Sequence, residues 1–176
     1  MFSCTNFSDG CEGNITIGNP QICTIENVLV FCEVTVDPTI QGFSRPAGVA
    51  YDEEHDRMYV ANFNSGTVSV FDTSDNTVID TDPIAPGITP FTVGSQPVFV
   101  AYDPNCRDMY VTNQGGTTVS VIDTTTNQVI DRITVGNNPR GIAYDIVHER
   151  MYVANLNDST VSAINLCGCP PVPPVP

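Results

Sequence analysis

The chain contains no lysine and no tryptophan, and its six Lys and Arg positions are all arginine. Against them stand twenty Asp and Glu residues, which give a formal net charge of −14 at pH 7. A surface this acidic repels nucleic acid and anionic membranes, so we expect neither as a partner. No apolar run approaches the roughly 18 residues that a membrane-spanning helix needs, so membrane insertion is not predicted. No stretch shows a helical period either, so we expect almost no helix.

One stretch of sequence is repeated three times. Its centre reads Met-Tyr-Val-Ala/Thr-Asn, and each copy has Ala-Tyr-Asp before it and Thr-Val-Ser after it. The central tyrosines are Tyr59, Tyr110 and Tyr152, which stand 51 and 42 residues apart. Apolar residues alternate within each copy and Gly, Asn, Asp and Pro separate the runs, which is typical of half-buried strands joined by turns. A repeat of about 40 residues that holds several short strands predicts the blade of a β-propeller.

Each copy is predicted to hold four strands, A to D. In the second copy these are residues 98–102, 109–112, 118–122 and 129–135. The first and second copies stand farther apart than the second and third, and the extra residues lie at 81–90. We interpret them as a loop extension between strand D of one blade and the next blade, with a binding loop as the alternative.

The core is predicted from the alternation of side chains along a strand. Because neighbouring side chains point to opposite faces, each repeated Tyr and the Val after it should enter different gaps between blades. The predicted core columns are Tyr59/Tyr110/Tyr152, Val60/Val111/Val153 and Val68/Val119/Val161.

These repeats resemble the YVTN family of β-propeller repeats, whose signature stands literally at Tyr110-Val111-Thr112-Asn113. The resemblance covers about residues 39–165 and implies an all-β, propeller-like fold of three four-stranded blade units. Members of that family are commonly secreted or surface-layer proteins, with relatives among sugar-lactone hydrolases and the propellers of haem enzymes. A resemblance of this kind specifies a fold more firmly than a function.

The number of blades is unusual. Closed propellers have four to eight blades, and the innermost strands of a three-bladed ring would collide at its axis. Thr39, Ile40 and Gln41 resemble the end of a strand D before the first copy, whereas the third copy stops after strand C at Asn165. This order predicts that a strand of another chain completes the last blade. The expected partners are therefore other copies of the same chain.

Six of the seven cysteines lie outside or at the edges of the repeats, where a packed core does not need them. These candidate disulfide or cross-linking residues are Cys4, Cys11, Cys23, Cys32, Cys167 and Cys169. They favour an oxidising final location, outside the cell or on the surface of a cell or spore. The first residues show neither the basic start nor the apolar run of a secretory signal. The odd count leaves at least one cysteine as a free thiol or paired with another chain.

Metal sites are weighed and not predicted. His55, Cys106 and His148 occupy the same place in the three copies, at the turn between strands A and B, where an exposed polar turn is favoured over a metal ring. The spacing of the other cysteines does not match common zinc sites. Four aspartates, Asp72, Asp75, Asp80 and Asp82, lack EF-hand spacing and are interpreted as solvated acids rather than calcium ligands.

Catalytic motifs are also not found in the sequence. Asp52, Asp103 and Asp145 end strand A in every copy, and we predict that their oxygens hold the following turn. Asn62, Asn113 and Asn155 are interpreted in the same way, as residues that lock turns. We therefore predict no catalytic residue, no cofactor and no enzyme activity.

Two segments flank the repeats. Residues 1–38 form a cysteine-containing N-terminal part with two predicted strands, at 22–25 and 28–36, which are too few to fold alone and should pair with the propeller or a neighbouring molecule. Residues 39–166 form the propeller domain. Residues 167–176 form an extended polyproline tail, in which Pro170, Pro171, Pro173 and Pro174 are predicted assembly residues together with Thr39, Ile40 and Gln41.

Three functions are compatible with this sequence. The favoured one is a structural subunit that self-assembles into an extracellular fibre, coat or surface layer sealed by disulfides. The second is an oligomeric binding module of the lectin or adhesin kind, which would hold a glycan or a surface protein. The third is a small enzyme of the lactone-hydrolase kind.

Overall fold

The computed structural model of the protein describes residues 21–25, 28–32, 39–79 and 91–166. The chain divides into two compact units, Met1–Thr39 and Ile40–Pro176. All the regular elements in the described residues are strands, so the predicted all-β class is confirmed. In this part of the chain no helix is long and apolar enough to cross a membrane.

The first unit contains a two-stranded antiparallel sheet. Strand β1 (Gln21–Ile25) pairs with β2 (Val28–Cys32), and Cys23 lies opposite Val30. The two strands that the sequence predicts are therefore present, and they pair with each other. The predicted extension of the second strand to residue 36 lies outside the described residues, as does the tail at 167–176, so the predicted three-part division of the chain stays a prediction.

The second unit contains three blades of antiparallel strands that follow one another in sequence order. Blade 1 consists of β3 (Pro46–Asp52), β4 (Arg57–Asn62), β5 (Thr67–Asp72), β6 (Val78–Ile79) and β7 (Phe91–Thr92). Blade 2 consists of β8 (Pro97–Asp103), β9 (Asp108–Asn113), β10 (Thr118–Asp123) and β11 (Gln128–Thr134). Blade 3 consists of β12 (Pro139–Asp145), β13 (Arg150–Asn155) and β14 (Thr160–Asn165).

Strand D of blade 1 is split into β6 and β7, which both pair with β5. Val70 lies opposite Ile79 in β6, and Val68 lies opposite Phe91 in β7. In blade 2 the same two places are filled by one continuous strand, β11. The extra residues of the first interval therefore interrupt strand D and do not follow it, which corrects the predicted position of the loop extension. Residues 81–90 themselves lie outside the described residues.

Apolar side chains fill the gaps between successive blades. Between blades 1 and 2, Tyr59 and Val68 of blade 1 form one cluster with Met109 and Val111 of blade 2. Between blades 2 and 3, Tyr110 and Val119 form the equivalent cluster with Met151 and Val153. Tyr110 and Val111 thus enter different gaps, as the alternation of side chains predicts.

The first strands of neighbouring blades approach each other closely. A Cβ atom added to Gly48 in β3 would lie 2.5 Å from the carbonyl oxygen of Val98 in β8. That distance is too short for any side chain, so glycine permits this contact of two backbones. Strands A of blades 1 and 2 therefore lie against each other at this point.

The predicted core is right for one residue of blade 3, the fully buried Val153, and wrong for two, Tyr152 and Val161. Val68 and Val119 are fully buried, whereas the equivalent Val161 is 66% exposed. Likewise Tyr59 and Tyr110 are buried, whereas Tyr152 is 37% exposed. The reason is physical: these side chains point to the face of blade 3 against which no further blade packs in the described residues.

The predicted strand before the first blade is not formed. Residues 39–43, which include Thr39, Ile40 and Gln41, have no strand conformation. Blade 3 has three strands, and no fourth strand pairs with β14 among the described residues. Completion of this blade by another chain stays a prediction.

Replacing Val111 by Asp should destabilise the fold by about 3 kcal/mol or more, because Val111 is fully buried between blades 1 and 2 and a carboxylate there has no partner. Urea denaturation followed by circular dichroism measures the change. Val161→Asp is the matched control, since its side chain is mostly exposed. Equal stability of the two variants would contradict the assignment of Val111 to the core.

Candidate functional site

The two ends of the blade stack expose faces that are buried elsewhere in the stack. We name the face that a blade turns to the following blade its trailing face, and the opposite one its leading face. The trailing face of blade 3 contains Tyr152 and Val161. The leading face of blade 1 contains Val49, which is 60% exposed, and Tyr51, which is 43% exposed. The equivalent residues of blade 2, Val100 and Tyr102, are partly buried against blade 1.

The leading face of blade 1 is partly covered by the segment that precedes it. The ring of Phe43 lies 6.3 Å from that of Phe71, measured between centroids. Phe71 is buried, and the equivalent residue in blade 2, Ile122, packs against blade 1. Val49 and Tyr51 remain accessible beside this contact.

The aspartates at the end of strand A hold the following turn, as predicted. The Oδ1 atoms of Asp52, Asp103 and Asp145 each accept a hydrogen bond from the backbone N–H two residues further on, at 3.1, 3.0 and 3.0 Å. The fourth residue after each aspartate has a positive φ, between 50° and 62°, at Asp56, Arg107 and Glu149. The three A–B turns therefore share one conformation, which a short polar side chain stabilises.

The column of His55, Cys106 and His148 does not form a metal centre in the described residues. The Nδ1 atom of His55 lies 2.8 Å from Oδ2 of Asp52, and His148 makes the same contact with Asp145. The sulfur of Cys106 is disulfide-bonded. No group of three or more potential metal ligands occurs among the residues described.

Two interactions link the A–B turns of successive blades. Burial of Asp52 opposes its ionisation, but hydrogen bonds from His55 and from Tyr102 of the next blade lower the pKa of its carboxyl group below the usual value. Arg107 of blade 2 forms an ion pair with Glu54 of blade 1. Both contacts join blade 1 to blade 2 at the same edge of the stack.

The repeated asparagines at the end of strand B lock the following turn, as predicted. The Nδ2 atom of Asn113 donates to the hydroxyl groups of Thr118 and Ser120, both at 3.0 Å. Asn62 and Asn155 make the same pair of hydrogen bonds in blades 1 and 3. Strands B and C are thereby joined at their turn in every blade.

Blade 2 carries three aspartates side by side. Asp108 lies opposite Asp103 on one side and opposite Asp123 on the other. In blades 1 and 3 the central position of this row is an arginine, Arg57 or Arg150. Burial, followed by the negative charges of Asp123 and Asp103, raises the pKa of Asp108 to about 6. The sequence contains this exchange of Arg for Asp, but it becomes visible only when the three copies are aligned.

The aspartates considered as calcium ligands hold turns instead. Oδ1 of Asp72 accepts hydrogen bonds from the N–H and the hydroxyl of Ser74, at 2.8 and 2.6 Å. Oδ1 of Asp75 accepts the equivalent pair from Thr77. Asp80 and Asp82 lie outside the described residues.

The other predicted site residues are only partly placed. Cys23 and Cys32 lie in β1 and β2 but not opposite each other in the register. Cys4, Cys11, Cys167 and Cys169 lie outside the described residues, and so do Pro170, Pro171, Pro173 and Pro174. Cys106 was not among the predicted disulfide residues, and its sulfur is disulfide-bonded. Cross-links between different chains stay a prediction.

Comparison with known proteins supports a propeller. The chain is 31% identical over 105 residues to the seven-bladed β-propeller protein Rv1057 of Mycobacterium tuberculosis, which covers 57% of this chain and 24% of that protein. The chain has a β-propeller-like fold. It spans about a quarter of the length of this curated relative. No family model matches the chain, so membership of the YVTN family stays a prediction.

Two solved structures align with this fold. Hydrazine synthase of Kuenenia stuttgartiensis aligns with a TM-score of 0.55 and 22% identity, over 70% of this chain and 33% of that one. A 6-phosphogluconolactonase-like protein of Bacteroides fragilis aligns with a TM-score of 0.56 and 16% identity, over 68% of this chain and 34% of that one. At such identities the likeness shows the fold alone.

The prediction that the chain is not an enzyme is corrected by this comparison. Its propeller fold is shared with a lactonase-like protein, so the blade repeats give no ground for excluding catalysis. The aspartates are regularly spaced in the three copies, which supported that prediction. One row, at Asp103, Asp108 and Asp123, nevertheless differs chemically from the other two.

Replacing Asp108 by Asn should stabilise the fold above about pH 6. The pKa of Asp108 is raised from 3.8 to about 6 on folding, so the native protein loses stability as the pH rises between these values. The Asn variant lacks this loss, and the difference should reach about 1–3 kcal/mol at pH 7 and vanish below about pH 3, where Asp108 is protonated in both states. Urea denaturation at a series of pH values measures it. Glu53→Gln, the same charge change at an exposed turn residue, should show no such pH-dependent gain.

Proposed function

We propose that the chain is a self-assembling structural subunit, in which the blade stack of one copy continues into the stack of the next. The observation that carries this proposal is the exposure of Val161, at 66%, where the equivalent Val68 and Val119 are fully buried. Burying such a side chain contributes about 1.5–3 kcal/mol. A neighbouring blade would supply that burial.

The two exposed end faces are complementary in composition. The trailing face of blade 3 repeats the residues that blades 1 and 2 bury, with Tyr152 and Val161 in place of Tyr110 and Val119. The leading face of blade 1 repeats the face that blade 2 turns to blade 1. A contact between these two different faces is head-to-tail, and it either closes a ring or propagates a filament, depending on the rotation between copies.

The remaining features fit a fibre, coat or surface layer outside the cell. The sequence contains seven cysteines, and the sulfur of Cys106 is already disulfide-bonded. Disulfides persist in oxidising surroundings. A net charge of −14 keeps separate copies soluble, and salt should favour their association because it screens the repulsion between them.

The head-to-tail contact can be tested with two variants that each disable one face. Val161→Asp places a charge on the trailing face and Val49→Asp places one on the leading face. Each variant alone should remain monomeric in sedimentation velocity experiments, whereas an equimolar mixture should form a 1:1 pair and grow no further. Ile130→Asp is the control, because Ile130 is exposed on β11 of blade 2, away from both end faces.

Three outcomes would contradict this proposal. The first is an intact chain that stays monomeric at high concentration and high salt. The second is normal assembly of both face variants. The third is assembly of Val49→Asp alone, which would mean that two trailing faces meet each other. Electron microscopy of the intact chain then separates a ring from a filament, and electrophoresis with and without reductant shows whether disulfides join the copies.

Lactone hydrolysis is the second candidate function, because the fold is shared with a 6-phosphogluconolactonase-like protein. Asp108 is suited to act as a general base in such a reaction, since its pKa of about 6 lies near the working pH of most enzymes. The negative charge of the chain favours a neutral lactone over a phosphorylated one.

An assay of lactone opening in a pH-stat tests this candidate, with δ-gluconolactone and 6-phosphogluconolactone as substrates. Asp108→Asn should lower the rate about 10²–10⁴-fold if Asp108 is the base. The same change is expected to stabilise the fold, so unfolding would not account for the loss. Rates equal to those of uncatalysed hydrolysis, or an active Asn variant, would count against the assignment.

A further inference from the structure

The three aspartates that lie side by side in blade 2 all point towards blade 3. We call Asp103, Asp108 and Asp123 the aspartate row. They stand directly opposite one another on neighbouring strands, so their side chains share one face of the sheet. Tyr110, two residues after Asp108 on the same strand, packs against blade 3. Because residues two apart on a strand point to the same face, the aspartate row lies at the edge of the gap between blades 2 and 3.

The buried member of the row, Asp103, lacks a partner that its counterparts have. In blades 1 and 3 the equivalent Oδ2 atom lies 2.8 Å from Nδ1 of a histidine, His55 or His148. In blade 2 the histidine is replaced by Cys106, whose sulfur is disulfide-bonded. Asp103 is only 1% exposed, and its Oδ2 atom has no hydrogen-bond partner. A buried carboxylate oxygen without a donor is costly, so this atom marks a place for one.

The row also lacks the cation that stands at its centre in the other blades. There the central residue is an arginine, Arg57 or Arg150, and in blade 2 it is Asp108. The guanidinium of Arg57 crosses the gap to blade 2, where Nη1 donates to the carbonyl oxygen of Thr124 at 3.4 Å. Among the described residues, no member of the aspartate row forms an ion pair.

The arginines of the chain are all committed elsewhere. The chain has six arginines and no lysine, and all six arginines lie in the described residues. Arg107, in the A–B turn of the same blade, forms its ion pair with Glu54 of blade 1. The charged groups that act on Asp108 are those of Asp123 and Asp103, which are both negative. A side-chain cation that fills the row therefore belongs to another molecule.

The spacing of the row favours an extended cation over a metal ion. Side chains directly opposite each other in a sheet stand about 5 Å apart, so three in a line spread over about twice that distance. In the described part of the chain no group of three or more side chains is placed to hold a metal ion. A guanidinium is planar and has five N–H donors arranged as a fork, so it can bind more than one carboxylate at once.

We propose that the aspartate row binds a guanidinium group supplied by another molecule. The guanidinium takes the place that arginine side chains take in blades 1 and 3, and it donates to the unpartnered Oδ2 atom of Asp103 and to Asp108. Asp108 and Asp123 are only partly buried, so the row can be reached from solvent. The row lies between two blades of one chain, so this proposal does not depend on self-assembly.

Isothermal titration calorimetry with three small probes tests the proposal. The probes are ethylguanidine, the capped tripeptide acetyl-Gly-Arg-Gly-amide and its lysine counterpart. A salt concentration of about 0.15 M screens the general attraction of cations to a chain with a net charge of −14. Both guanidinium probes should bind with 1:1 stoichiometry, and the lysine peptide at least about 10-fold more weakly, because an ammonium group cannot form a bidentate pair.

The same titrations distinguish the two sources of a guanidinium. Tighter binding of the arginine peptide than of ethylguanidine identifies an arginine side chain of a peptide or protein as the natural ligand. Binding of ethylguanidine that equals or exceeds that of the peptide identifies a small guanidinium compound. Either result supports the proposal.

Two substitutions at the centre of the row test where the probes bind. Asp108→Asn should raise the dissociation constant about 10-fold, and it is expected to stabilise the fold at pH 7, so unfolding would not explain the loss. Asp108→Arg supplies the guanidinium from the chain itself, as Arg57 does in blade 1, and should abolish binding. Glu53→Gln is the control, because it removes one negative charge from an exposed turn of blade 1 and should leave the dissociation constant unchanged. Circular dichroism checks that each variant is folded.

Three results would overturn the proposal. The first is that neither guanidinium probe binds. The second is equal affinity for the arginine and lysine peptides together with equal effects of Asp108→Asn and Glu53→Gln, which would show a general attraction of charge. The third is undiminished binding to folded Asp108→Asn or Asp108→Arg, which would place the site elsewhere. None of these results bears on the proposed self-assembly, which is measured by sedimentation.

Discussion

The packing of one blade face against the next is the interaction on which this structure depends. A single blade is a sheet of three to five short strands with apolar residues on both faces, and such a sheet cannot bury either face by itself. Tyr59 and Val68 are buried because Met109 and Val111 lie against them. The same residue types become exposed at Tyr152 and Val161, where the stack ends. Burial in this protein is therefore decided by neighbours along the stack rather than by residue type.

The polar contacts at the A–B turns also depend on the neighbouring blade. Each A–B turn is closed by its own aspartate, and at the first junction blade 2 adds the phenol of Tyr102 and the guanidinium of Arg107 to the turn of blade 1. Apolar packing provides most of the free energy that holds two blades together. The polar contacts are directional, so they fix the position of one blade along its neighbour. The asparagines at the B–C turns act within a blade and keep its strands in register.

Much of this architecture follows from the repeated sequence. Strands A to D of blade 2 were predicted within about a residue of β8, β9, β10 and β11, because alternation and turn residues agree in every copy. The exposure of Tyr152 was not predicted, since the three tyrosines were treated alike, whereas the burial of each one depends on whether a further blade packs on its face. The split of strand D was missed because β6 and β7 hold two residues each, too few to show a period.

The candidate site was harder to predict for a related reason. Repetition draws attention to what the copies share, and the chemistry at Asp108 comes from a difference between them. Its raised pKa depends on Asp103 and Asp123 lying on either side, which is a matter of strand register that sequence order alone does not reveal. The disulfide bond of Cys106 was missed likewise, because its column also contains His55 and His148 and suggested an ordinary turn.

The divided strand of blade 1 has a consequence for how such proteins can be altered. Ile79 and Phe91 are both hydrogen-bonded to β5, opposite Val70 and Val68, so the chain leaves and re-enters the sheet at neighbouring points. The entropy of closing a loop between two anchored ends grows only slowly with loop length. A peptide or a whole domain inserted between β6 and β7 should therefore be tolerated, because both strands can keep their pairing with β5.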